Sequence, residues 1–182
     1  ESLVSSVPGA TGALYAMPRA LFRPVPEDVI LDDVYLPMTA IVQGYRCVLA
    51  TGAHVRDQVA KTPAQEWKRK RRTLAGCVQL ARRYPRWMRQ WSFFNHKVAR
   101  LASPLLLFGA LAGSGALSDW LFGAQLVAYG TCAVLWIPVR RGLRLPVLSA
   151  CVMFLSLNLA ILAALWDGLC NRYDAAWKKE PL

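Results

Sequence analysis

The stretch from Leu101 to Ser118, LASPLLLFGALAGSGALS, carries no charged side chain, and two more such runs follow it. Residues 120–139 and 145–166 are equally uncharged, giving runs of 18, 20 and 22 residues. A helix needs about 20 residues to cross a bilayer core of about 30 Å. Three membrane-spanning helices are therefore expected at 101–118, 120–139 and 145–166. The competing reading is three buried core helices of a large soluble protein. Against it, a chain of 182 residues with 55% hydrophobic content is too apolar for an ordinary soluble domain of that size.

The flanks of these runs suggest an orientation. Asp119 is the only charge between the first two, which predicts a tight hairpin, and Arg140, Arg141 and Arg144 separate the second from the third. Basic residues stay preferentially in the cytoplasm, which places the Arg100 end and the Arg140–Arg144 loop there and Asp119 on the far side. The polar tail, 167–182, sets Arg172, Lys178 and Lys179 against Asp167, Asp174 and Glu180, so the orientation of the last run stays open. Pro146 and Asn158 also make that run less plain as a span.

Upstream, residues 61–100 hold twelve Lys and Arg against the single acid Glu66, a net of +11. That equals the net charge of the whole chain, so the remaining residues sum to zero. A polybasic stretch beside a span normally faces the anionic cytoplasmic leaflet, worth about 1 kcal/mol per basic side chain near the surface. Within 81–100, Trp87, Trp91, Phe94 and Val98 recur at helical spacing with Arg86, Arg89, Lys97 and Arg100 opposite. This predicts an amphipathic helix lying in the membrane interface. An amphipathic helix packed on a soluble domain has the same periodicity. The five cysteines show no paired spacing and no histidine at ligand distance, so they are expected to be free thiols and no zinc site is expected.

Residues 1–80 read as a soluble α/β piece. Strands are expected at 12–17 and at 45–50. A helix is expected from Val34 to Gln43, with Asp33 near its N-cap and Gly44 as its stop. A second helix should run from Thr62 or Pro63 to about Leu80. Asp32 and Asp33 stand out inside Ile30-Leu31-Asp32-Asp33-Val34-Tyr35-Leu36-Pro37, because desolvating a carboxylate costs free energy that an apolar run does not repay. Either they serve chemistry, or Asp33 merely satisfies backbone donors at a helix start. Gly9 and Gly12 would let backbone approach a sugar closely, although a turn before a strand explains them equally well.

Gly9-Ala10-Thr11-Gly12-Ala13-Leu14-Tyr15-Ala16, then Leu31-Asp32-Asp33, then Arg69-Lys70-Arg71-Arg72-Thr73 occur in an order that resembles the C-terminal half of membrane-integrated family 2 glycosyltransferases. These include the synthases of cellulose, hyaluronan and poly-N-acetylglucosamine. The likeness extends through His96-Lys97, Arg100 and Pro104 to Asn158, Ala160 and Trp177. It implies an α/β plus transmembrane α architecture. Residues 1–80 would be the C-terminal part of a GT-A-type catalytic domain, followed by an interfacial helix (81–100), a transmembrane region (101–166) and a polar tail (167–182). The donor-binding half, with its Asp-x-Asp motif, is then expected upstream of Glu1, since no Asp-x-Asp occurs in this sequence. The fragment alone should be inactive.

The resemblance also implies site residues and partners. Asp33 takes the place of the catalytic base and Asp32 that of the preceding acid. Arg69 and Arg72 take the Gln and Arg places of the Gln-x-x-Arg-Trp motif, with Gly9 and Gly12 near the sugar. Thr73 stands where the family has Trp and cannot stack on an acceptor sugar, which leaves room for transfer of one or a few sugars. The implied partners are a nucleotide-sugar donor, a glycan or lipid-linked acceptor and membrane lipid, with no nucleic acid. The implied cofactor is a divalent metal, Mg or Mn, whose ligands do not lie in this sequence. The implied location is the inner or plasma membrane, multipass, with the catalytic part cytoplasmic. The rival reading is a non-enzymatic multipass membrane protein whose polybasic segment binds anionic lipid.

Overall fold

The computed structural model describes residues 5–10, 12–56, 63–140, 146–170 and 172. The Arg141 and Arg144 portion of the second loop, Thr62, Trp177 and all of the polar tail except 167–170 and 172 lie outside the described residues. Helix α1 spans Asp32–Ile41, with Leu31 as its N-cap. Asp33 therefore sits in the first turn, two residues past the cap and near it as expected, and the helix starts two residues before the expected Val34. Both acids still lie where the helix dipole favours negative charge. At the other end Gly44 adopts φ +91°, Tyr45 N–H donates to Ala40 O (3.1 Å) and Gly44 N–H to Ile41 O (3.0 Å). This is a Schellman stop, and only glycine takes that backbone angle cheaply.

Pro37 lies within α1 and has no N–H to give to the carbonyl four residues earlier, that of Asp33. Ala10 N–H donates to that oxygen instead, at 2.8 Å. The proline thus frees an acceptor, and the accepted bond ties the Gly9–Gly12 loop to the acid pair.

Helix α2 spans Pro63–Arg83. Its residues 72, 76, 79 and 83 share one face, which grips the loop before α1. Gln79 accepts from Ile30 N–H (3.1 Å) and donates to Asp28 O (2.7 Å), and Arg83 pairs with Asp28. Gly76 allows the approach, since a Cβ there would lie 2.5 Å from Leu31 Cγ. Ile30, Leu31, Val34, Leu36 and Met38 meet Leu74, Cys77, Val78 and Leu80 in one apolar core.

The expected interfacial helix over 81–100 is corrected in form. Pro85 forces the chain out of α geometry at Tyr84, and 3₁₀ turns (Pro85–Arg89, Ala99–Ala102) and a π turn (Phe94–Val98) replace one continuous helix. Trp87 is only 5% exposed, stacked on Tyr84 at 4.4 Å and edge-on to Phe93 at 5.9 Å. Burying such a side chain contributes about 1.5–3 kcal/mol, so Trp87 serves the core and not a headgroup layer. Trp91, 73% exposed, keeps the outward position.

Three long helices follow: α3 (Ser103–Leu117), α4 (Asp119–Arg140) and α5 (Pro146–Leu169). Three stretches are long and apolar enough to cross a membrane: Trp91–Leu117, Asp119–Pro138 and Ser149–Leu169. Ser103 Oγ joins α3 to α5 by donating to Asn158 Oδ1 (2.8 Å), which explains the polar residue inside the third run. That run is not a plain span exposed on all sides. Its Ala160, Ile161 and Ala164 enter the same core as α1 and α2. Gly168 lies so close to Val78 that a Cβ would collide with Val78 Cγ1.

Among the described residues there is no strand, and the expected strands at 12–17 and 45–50 are turns and irregular backbone. Val7 N–H donates to Cys47 O (3.0 Å), while Ser6 Oγ accepts from Cys47 N–H (2.8 Å). One backbone rung closed by a side chain is not a ladder, which requires successive paired residues. The α/β part of the expected fold is therefore helix and loop.

Candidate active site

Three segments converge on Asp33. The Gly9–Gly12 loop lies across it, with a Gly12 Cβ placed 3.6 Å from Asp33 Oδ2. A Gly9 Cβ would sit 3.5 Å from both Asp33 O and Lys97 Nζ. Lys97 comes from the π turn at Phe94–Val98, immediately before the first apolar run. Tyr15 faces the pair from the loop beyond Gly12, where burial and then the charges of Asp32 and Asp33 raise its pKa.

Asp32 is exposed and Asp33 half-buried. Asp33 Oδ1 is buried with no hydrogen-bond partner among the described residues. Desolvation pushes the Asp33 pKa above the ordinary carboxylate value. Lys97 opposes that shift, Asp32 adds to it, and the backbone N–H groups of Asp33 and Val34 oppose it. Such a carboxylate is a stronger base than a solvated one, and the lone pairs of Oδ1, unengaged among the described residues, can accept a proton. Cys77, buried beneath, feels Arg100, Lys97 and Asp33. Desolvation dominates and keeps it a neutral thiol.

The basic run on α2 serves mainly the protein itself. Arg69 is turned toward Glu66 on the surface, donating through Nε (3.1 Å) and Nη2 (3.0 Å), and Lys70 lies 3.6 Å from the same carboxylate. Arg71 grips Asp167 with two bonds of 2.6 and 2.8 Å. Arg72 Nη2 donates to Ile30 O (3.3 Å), just before the acid pair, and Arg82 donates to Gly168 O. Arg72 therefore reaches the loop that leads into the acids, while Arg69 lies on the exposed side of α2. Gly9, Gly12, Asp32 and Asp33 are brought together as a set. Lys97 and Tyr15 complete it, although neither was singled out as a site residue. A lone lysine at the threshold of an apolar run was the available signal for Lys97.

Among the described residues no three His, Cys, Asp or Glu side chains converge in a way that could hold a metal ion. A cavity of about 500 Å³ opens between α2, α4 and α5, lined by Trp67, Lys70, Trp136, Met153 and Leu157 among others. None of its walls comes from the acid pair, so its size does not make it the reaction site.

Residues 4–166 match the model of a family described as glycosyl transferase family group 2. No curated protein and no solved structure matches the chain.

Proposed function

Because the chain belongs to glycosyl transferase family group 2, we propose that it takes part in inverting transfer of a sugar from a nucleotide-sugar donor to a hydroxyl of a glycan or lipid-linked acceptor. The acceptor oxygen attacks the anomeric carbon, the bond from that carbon to the phosphate oxygen breaks, and Asp33 takes the hydroxyl proton. One displacement inverts the anomeric configuration, and the nucleoside diphosphate departs with the electron pair. The supporting observation is the Asp33 carboxyl group: half-buried, raised in pKa, with a buried oxygen that has no partner among the described residues and two glycines leaving room beside it. A general base must be basic enough to keep the proton it removes, and the raised pKa of Asp33 supports that role. Asp32, exposed one residue before, supports the site electrostatically.

In this reading residues 1–80 are the C-terminal part of a GT-A-type domain, and the enzyme is a hexosyltransferase-type protein of the inner or plasma membrane. Its reaction faces the cytoplasm, and its spans contact lipid. The Mg or Mn that the family resemblance implies finds no fitting ligand set among the described residues, and no step proposed here passes through it. The alternative of a polybasic lipid-binding segment loses support because Arg69, Arg71, Arg72, Arg82 and Arg83 are engaged with the protein.

The test is Asp33→Asn in the full-length protein, with the product anomer determined by NMR. Transfer should fall at least about 10²-fold, within the range general-base catalysis supplies, and the wild-type product should carry the inverted configuration. Wild-type turnover by the variant, or a retained configuration, overturns the proposal.

A further inference from the structure

The α2 cations of the expected diphosphate motif are engaged with the protein, which leaves open which cation meets the charge that develops on the leaving group. Arg69 spends its guanidinium on Glu66, and Arg72 reaches the carbonyl of Ile30. Lys97 differs from both. It is half-buried at the end of a π turn, while its neighbours Phe94, Asn95 and His96 are exposed. It has no ion pair or hydrogen bond among the described residues, although the Asp33 carboxylate is near enough to feel its charge. Its ammonium lies over Gly9, where any side chain would come within 3.5 Å of Nζ. A partly desolvated ammonium beside a partly desolvated carboxylate that it does not grip is costly for both groups. An anion placed at the ammonium would give it the charge partner that the Asp33 carboxylate does not supply by direct contact.

We propose that Lys97 binds the diphosphate of the donor nucleotide across the Gly9–Gly12 loop from Asp33. The inference rests on the transfer reading above and deepens it by naming a diphosphate contact outside the basic motif of α2. Arg100, one turn further on and 3.7 Å from Cys77 Sγ, belongs to the same face and adds positive potential. The geometry has a second consequence. Lys97 lies in the π turn that leads through a 3₁₀ turn into the first apolar helix, within the stretch Trp91–Leu117 that is long and apolar enough to cross a membrane, so the diphosphate would be held close to the membrane anchor.

The experiment uses the full-length protein and three probes: uridine diphosphate, guanosine diphosphate and inorganic pyrophosphate. Calorimetry should show that Lys97→Met and Lys97→Gln weaken binding of the preferred probe by about 10-fold or more, the size of a lost charge-assisted contact. Lys97→Arg should retain most of the affinity. In the wild-type protein, saturating probe should suppress acetylation of Lys97 by an amine-reactive reagent, read by mass spectrometry. If both neutral variants unfold, the labelling decides alone. Unchanged affinity in the folded neutral variants overturns the proposal, as does a shifted pH–rate profile without loss of affinity, which would make Lys97 a positioning residue for Asp33. Asp33→Asn, which removes a negative charge beside the site, should bind the probes no more weakly than the wild type. Failure of the base assignment would show instead as full turnover by that variant, so the two failures are separable.

Discussion

Asp167 and Asp33 are both drawn away from water, and the protein treats them in opposite ways. Asp167, 8% exposed near the end of α5, receives two bonds from Arg71 and so fastens α5 to α2. That contact also raises the Arg71 pKa, chiefly through the hydrogen bond to Asp167. Asp33 has a cation nearby in Lys97 but no ion pair with it, one oxygen without a partner among the described residues, and glycines where side chains would otherwise fill space. A carboxylate whose two oxygens each accept a bond from a guanidinium has little room for a substrate's proton. One left raised and unanswered is prepared for it. The contrast separates an acid used for assembly from an acid available for chemistry within one small chain.

The comparison breaks most visibly at Asp33. Asp33→Asn should remove at least about 10²-fold of the transfer rate while leaving the fold intact. Its effect on stability has a defined sign. Because the folded pKa is raised, the folded state holds the proton more tightly than the unfolded chain does. Stability from this group is therefore present below the ordinary carboxylate pKa and is lost as pH rises through the raised value. At neutral pH the buried charge is a cost, so Asp33→Asn should unfold at the same temperature as the wild type or higher. A clear loss of thermal stability would recast Asp33 as a structural acid like Asp167.

Asp167→Asn should show the converse. It removes the ionic partner of Arg71 and should cost about 1–3 kcal/mol of stability, toward the lower end because Arg71 is part-exposed. The acid limb of the pH–rate profile should not move. Gly76→Ala should cost about 1–3 kcal/mol by forcing a methyl group against Leu31, and it should lower transfer as well, because Leu31 leads directly into the acid pair. Thermal unfolding and initial rates measured on the same samples check both variants. Arg69→Ala stands at the small end. Its exposed pair with Glu66 should be worth well under about 1 kcal/mol, and nucleotide affinity should be unchanged. A large loss of affinity there would return the diphosphate to the surface of α2.

The parts of this architecture that depend on composition were readable in advance. Uncharged runs declare three apolar helices, Gly44 marks a stop that only its backbone freedom explains, and Pro63 opens α2. The Asp32–Asp33 pair announced itself by the cost of its surroundings. What stayed hidden depends on partners distant in sequence. The period of Trp87, Trp91 and Phe94 suggested one face, but Pro85 breaks the helix that the period assumes, and Trp87 turns into the core. Ala160, Ile161 and Ala164 suit a lipid-facing surface as well as a protein-facing one, so their packing against α2 was not legible. The cluster at 69–72 showed where charge lies and not where it points, and Arg71 finds its partner 96 positions away. The segments at 12–17 and 45–50 have strand-like composition without a strand partner among the described residues.

The central claim is that Asp33 is a raised, unpaired base, and the pH dependence of kcat/KM tests it most directly. Measured side by side on the full-length wild type and Asp33→Asn, the wild type should lose activity on the acid side with an apparent pKa above the ordinary carboxylate range. The variant should lack that limb and lie at least about 10²-fold lower across the neutral range. An acid limb of the same position and height in both proteins would contradict the account.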